Sequence, residues 1–234
     1  MLINELIIDW SRIEEGSYLR GIEALKELRS LRFKSPVTFF VGENGSGKST
    51  LLEAMAVAYG FNPEGGTRNY HFSTFDSHSE LHDAIRLSRG PVRAKWGYFL
   101  RAESFYNVAT AEEGYADPGC SHEYHKKSHG ESFLAVLQDN LNRDSIFFLD
   151  EPEAALSPSR QMVLLCEIMR YSKQGSQFVI ATHSPILLTL PKAEILSFDN
   201  GRIHPCEYED TDSFQITSMF INDRERILKQ LRDE

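Results

Sequence analysis

The 234-residue chain is poor in cysteine, has no glutamine before Gln138, carries no excess of positive charge, and contains no long apolar run. Each shortage excludes something. The three cysteines, Cys120, Cys166 and Cys206, are an odd and widely spaced set, which argues against a disulfide framework and for a reducing compartment, the cytoplasm. The longest uncharged stretch, Gln174 to Pro191, includes His183, two prolines and several Gln, Ser and Thr residues, so no membrane span is expected. Met1 to Trp10 meets acids at Glu5 and Asp9 without a basic lead, so no signal peptide is expected. Acids outnumber bases 34 to 25. That balance argues against nucleic-acid binding through overall charge, and the scattered Arg86, Arg89, Arg93 and Lys95 read as a solvated face.

What is present is an ordinary globular balance, 41% hydrophobic and 25% charged, with no internal repeat or long linker. One domain over residues 1–234 is expected. Leu2–Ile8, Val37–Val41, Trp96–Leu100, Ser145–Leu149 and Gln177–Ala181 read as strands. Ser49–Ala58, Phe133–Leu141 and a segment from Pro158 to Met169 behind Ser157 read as helices. Glu194–Phe198 and Ile203–Glu207 flank Asn200-Gly201, a hairpin signal, and a polar helix is predicted from about Asp223 to Leu231. Strands alternating with helices predict an α/β fold with a mainly parallel core sheet and an N-terminal antiparallel β part. Residues 65–142 are expected to form a small side lobe, irregular from Gly65 to Lys127 and then helical.

The strand Val37–Val41 runs directly into Gly42-Glu43-Asn44-Gly45-Ser46-Gly47-Lys48-Ser49-Thr50 and then into a helix. This is a complete P-loop. Backbone N–H groups from Asn44 to Thr50 can wrap the phosphates of a nucleoside triphosphate only where side chains are small; Lys48 reaches the β and γ oxygens, and Ser49 offers its hydroxyl to magnesium. Chance produces such a match in about 0.8% of chains of this length. Ile146-Phe147-Phe148-Leu149-Asp150-Glu151 is the complementary element, an apolar strand ending in two carboxylates. Asp150 is assigned to magnesium, partly through water, and Glu151 to general-base activation of the attacking water.

Lys127-Ser128-His129-Gly130-Glu131-Ser132-Phe133 stands at a helix start, with Ser128 22 positions before Asp150; Ala154-Ala155-Leu156-Ser157 follows the two acids, and His183 follows the next strand in Ala181-Thr182-His183-Ser184-Pro185. In that order the chain resembles ABC-class P-loop ATPases, with signature motif, D-loop and switch histidine. It is similar, more closely still, to a group of small, stand-alone bacterial AAA-type ATPases related to the heads of chromosome-maintenance and recombination-repair ATPases. The resemblance implies ATP hydrolysis with magnesium at a composite site in a head-to-tail homodimer, where Ser128, Gly130 and Glu131 of one subunit contact the ATP on the other's P-loop. It assigns His183 to the γ-phosphate and attacking water. By itself, Ser128-x-x-Glu131 is equally a helix capping box.

Two departures stand out. Transporter ATPases use a glutamine between P-loop and signature, and here that position falls in Leu100-Arg101-Ala102-Glu103-Ser104, so Glu103 either takes the metal-side role or is a surface acid paired with Arg101. Only 79 positions separate Ser49 from Ser128, without sustained heptads, so the coiled-coil arm of chromosome-maintenance relatives is missing. Cys120, His122, His125 and His129 match no standard zinc spacing. Arg12, Tyr18 and Arg20 offer planes for adenine or are surface residues. The expected function is an ATP-driven conformational switch for a partner the sequence does not name. The alternatives are the energising subunit of a membrane transporter, or an ATP-responsive module that does not hydrolyse.

Overall fold

The computed structural model of the chain describes residues 1–68, 79–101 and 129–233. In chain order its elements are β1 (Ile3–Ile8), α1 (Glu23–Lys26), β2 (Ser30–Arg32), β3 (Val37–Val41), α2 (Lys48–Tyr59), α3 (Leu81–Ala84), β4 (Ile85–Arg89), β5 (Trp96–Arg101), α4 (His129–Asn140), β6 (Ser145–Asp150), α5 (Pro158–Ser172), β7 (Gln177–Ala181), β8 (Glu194–Ser197), β9 (His204–Pro205), α6 (Asp212–Asn222) and α7 (Arg224–Asp233). The short apolar runs pair as predicted. They form a sheet in the order β5-β6-β7-β3-β8-β9, parallel except for β9, which returns from β8 through Asn200-Gly201 with both residues at positive φ.

Period-two alternation splits the sheet's side chains between two cores. Phe40, Phe99, Ile146, Phe148 and Val179 face α2 and the antiparallel sheet β2-β1-β4. Phe39, Tyr98, Phe147, Phe178 and Ile180 face α4 and α5, where Phe133, Leu164 and Ile168 are fully buried. A buried amide joins the layers: Gln177 Oε1 accepts the N–H groups of Leu2 and Ile3, each at 2.8 Å, and its Nε2 donates to Ile3 O at 3.0 Å. That contact orients β1 across the end of β7.

Three elements depart from the sequence reading. Ile85–Arg89, inside the stretch read as irregular, is a strand paired with β1 from Ile3↔Arg89 to Ile8↔Ile85. Ile85 and Leu87 pack on the core while Arg86 and Ser88 are exposed, a period-two alternation too short to stand out beside Gly-, His- and Ser-rich sequence until β1 pairs with it. Ser30–Arg32 is too short to show periodicity. The helix α6 occupies residues that the sequence reading leaves without an element; its Ile216, Met219, Phe220 and Ile221 are exposed, and the Thr211 hydroxyl caps it by accepting the Phe214 N–H.

Register aligns the strand ends. Asp150 lies opposite Ala181, and Ala181 opposite Phe40. The loops that follow β3, β6 and β7 therefore leave the same edge of the sheet, the carboxyl edge, where ligands of open α/β sheets bind.

Candidate active site

The loop from Gly42 to Gly47 bends tightly and delivers the chain into α2. Two glycines are required by contact and conformation together. At Gly42 (φ +135°) an added Cβ would come within 2.9 Å of Asp199 Oδ1, and at Gly47 (φ +102°) within 2.7 Å of Ile22 Cγ2. Gly47 opens α2 without a side-chain cap, leaving its first N–H groups directed into the loop. Asn44 and Gly45 form the exposed outer turn, while Ser49 and Thr50 are half-buried. The Ser46 hydroxyl is buried and has no hydrogen-bond partner among the described residues.

Lys48 is only 5% exposed. Its ammonium donates to the carbonyls of Gly42 at 2.7 Å and Glu43 at 2.8 Å, so it lies folded against its own loop. Burial pushes its pKa down, and the carboxylates of Glu151, Asp199, Asp150 and Glu153 pull it back up. Next to it, the Ser49 hydroxyl donates to Asp150 Oδ1 at 2.8 Å, joining the start of α2 to the end of β6. A hydroxyl and a carboxylate are hard oxygen donors of the kind that magnesium takes, and the orphaned Ser46 hydroxyl beside a glycine-lined turn suits phosphate oxygens. Among the described residues, the donor set fits magnesium with a polyphosphate.

Glu151 adopts a left-handed conformation (φ +47°), and its N–H bonds to Ala181 O at 2.9 Å. That turn redirects the chain at the strand end, so Asp150 stays buried while Glu151 is half-exposed. His183 Nε2 stands 4.0 Å from Glu151 Oε1. The structure thus brings together Lys48, Ser49, Asp150, Glu151 and His183.

Glu131, in the first turn of α4, pairs with Arg160 of α5 at 2.9 Å within the same chain. Gly130 lies in that same turn. Ser128, Glu103, Cys120, His122 and His125, and the side chain of His129, lie outside the described residues. Arg101 pairs with Glu53 of α2 at 2.6 Å. Arg86 and Arg93 are exposed, Arg89 covers the Tyr59 ring, and Lys95 pairs with Asp144 at 2.6 Å.

A groove of about 1350 Å³ runs from the P-loop past His183 to the β8–β9 turn and the start of α6. Tyr18, 64% exposed, stands on its rim. Arg20 does not: its guanidinium donates to the carbonyls of Trp10, Ile13 and Glu14, and Arg12 is exposed away from the groove's lining. Sequence reasoning missed Asp199, whose Oδ1 accepts the Glu43 N–H at 2.9 Å and whose Oδ2 accepts from Ser197 Oγ at 2.9 Å. Its only local signal was the turn beside it. Among the described residues, no helix is long and apolar enough to cross a membrane.

Two family models match the chain: residues 18–112 match an "AAA domain", and residues 132–189 match "AAA domain, putative AbiEii toxin, Type IV TA system". Among curated relatives, the arabinose import ATP-binding protein AraG of Pseudomonas syringae pv. syringae (strain B728a) is 27% identical over 190 residues, 72% of this chain and 37% of that protein. The ribose import ATP-binding protein RbsA 2 of Burkholderia ambifaria is 20% identical over 235 residues, 87% of this chain and 45% of that one. The chain therefore spans less than half the length of these relatives. Among solved structures, the SMC head domain from Thermotoga maritima aligns with 88% of this chain and 100% of its own, at 17% identity and a TM-score of 0.46.

Proposed function

We propose, from the premise that the chain is a P-loop ATPase of the ABC class, that it binds and hydrolyses ATP as a cytoplasmic switch that closes into a head-to-tail homodimer around two nucleotides. The observation that carries the reading is the Ser49–Asp150 hydrogen bond at the base of a P-loop whose Lys48 is folded on its own carbonyls. Lys48 exchanges those two carbonyls for β and γ oxygens, which restores full charge pairing to a desolvated amine. The backbone N–H groups from Asn44 to Thr50 hold the phosphates at the positive end of α2. Ser49 and Asp150 would hold magnesium, partly through water, with Glu103 as a further acid on the metal side, and the bound ion would supply positive charge to offset that of the phosphates.

Glu151, turned out of the sheet, accepts the proton of the attacking water at its carboxylate. His183, facing Glu151, orients that water and the γ-phosphate through its ring. Tyr18 supplies the aromatic face for adenine. In the closed dimer Ser128, Gly130 and Glu131 of one copy face the γ-phosphate bound by the other, while the Glu131–Arg160 pair holds the first turn of α4 against α5 within each copy. Phosphate release by the purified chain tests the reading, with Glu151→Gln as control. A parental chain that releases no phosphate from magnesium-ATP at any protein concentration would overturn hydrolysis, and a control that works at the parental rate would remove Glu151 from it.

A second reading draws on the two sugar-import relatives: the chain would energise a membrane transporter. The lack of glutamine between Lys48 and the signature weighs against it. Co-purification of a membrane subunit with the tagged chain would reverse that preference.

A further inference from the structure

One interior carboxyl beside the catalytic groups has no part in the scheme above. Glu153 Oε1 accepts the main-chain N–H of His183 at 2.6 Å, while its Oε2 is closed to solvent and has no hydrogen-bond partner among the described residues. Burial pushes this carboxyl above its ordinary pKa, against the amides of His183 and Glu153 and the Thr182 hydroxyl, which pull it down. A carboxyl taken so far out of water is disfavoured unless hydrogen bonds compensate it. Here the short bond runs to the backbone of a residue that faces the proposed base.

The turn that carries Glu153 is locked. Glu151 N–H bonds to Ala181 O at 2.9 Å and Ala154 N–H to Glu151 O at 3.0 Å. The Glu151 and His183 side chains, at 4.0 Å, are too far apart to fix one another by a hydrogen bond. Their relation is set through the main chain, by a closed circuit from Glu151 to Glu153, across to His183, and back along β7 to Ala181. Gln161 adds a second strut, accepting from the Ser184 hydroxyl at 2.6 Å and donating to Leu156 O at 3.0 Å.

We infer that Glu153 is a positioning residue for hydrolysis, its side chain spanning from the Asp-Glu turn to clamp the main chain of His183 at a fixed distance from Glu151. The inference rests on the ATPase reading. What matters is the reach of the side chain and its acceptor oxygen. Lys48, Ser49 and Asp150 make their contacts without it, so nucleotide binding is separable from this clamp.

The test is steady-state hydrolysis and ATP affinity for the parent, Glu153→Gln, Glu153→Asp and Glu153→Ala. Gln keeps an acceptor oxygen at the same reach and is expected to retain kcat within about threefold of parent. Asp is one methylene too short and Ala has no acceptor; both are expected to lose about tenfold or more in kcat, with KM and ATP affinity within about twofold. Asp retains an acid and carries the comparison if Ala does not fold. An active parent with Asp and Ala near its kcat overturns the inference and leaves the ATPase reading standing. So does a Gln variant that still binds ATP but is as slow as Asp, or a loss confined to KM. A parent without activity overturns both.

Discussion

The Ser49 hydroxyl donates to Asp150 Oδ1 at 2.8 Å, so two residues 101 positions apart present one pair of hard oxygens. Ser49→Ala should raise the magnesium concentration needed for half-maximal hydrolysis by about tenfold or more, since a metal-holding oxygen is lost. ATP binding measured in EDTA should change little. Lys48→Ala should weaken ATP binding with or without the metal, because it removes the charge on the β and γ oxygens. A magnesium titration of phosphate release, set beside binding isotherms in EDTA, separates the two effects.

Tyr18 should act through its ring. Stacking on a base contributes about 1–3 kcal/mol, so Tyr18→Ala should weaken ATP affinity by a factor of about 5 to 160, while Tyr18→Phe stays near parental. Equal losses for Ala and Phe would assign the effect to the hydroxyl instead. Arg20→Ala should lower stability rather than affinity, because Arg20 holds three carbonyls of the chain before α1. Thermal melts of both variants distinguish the roles.

Association should follow the nucleotide. Magnesium-ATP is expected to drive dimerisation, most strongly in Glu151→Gln, and ADP to leave monomers; one mass under all conditions in light scattering would contradict the closing dimer. Mixing Lys48→Ala with Gly130→Asp, each inactive alone, should recover about a quarter of parental activity: half the dimers are mixed, and each holds one intact site of two. Mixed dimers that form with ATP yet stay inactive would rule out independent sites.

Gln177 should matter for stability and little for chemistry. Gln177→Leu removes three hydrogen bonds and strands the buried amides of Leu2 and Ile3, at a cost of about 2–5 kcal/mol. Urea denaturation would register it as a lower midpoint at similar slope. ATP affinity under native conditions should remain within about twofold.

Local chemistry sufficed for the strand ends and the residues standing on them. A glycine-rich turn between an apolar strand and a helix has few uses, so Gly42 to Thr50 identified itself, and the apolar run ending in Asp150-Glu151 followed. Short continuous apolar runs were enough for β3, β5, β6 and β7, which are buried on both faces of the sheet, and a helical stripe or cap signal was enough for α2 and α5. What only the tertiary structure decided are the contacts between segments distant in sequence. Gln177 reads as an ordinary polar residue until its amide meets Leu2 and Ile3, and the five-residue alternation of Ile85–Arg89 gains a partner only when β1 lies beside it. Tyr18 and Arg20, two residues apart, looked alike as partners for adenine; only the fold turns one toward the groove and ties the other to carbonyls. Asp199, Glu153 and Arg160 follow the same rule: each acts by reaching across a gap closed by folding, and a side chain's reach leaves no periodic trace in the chain that carries it.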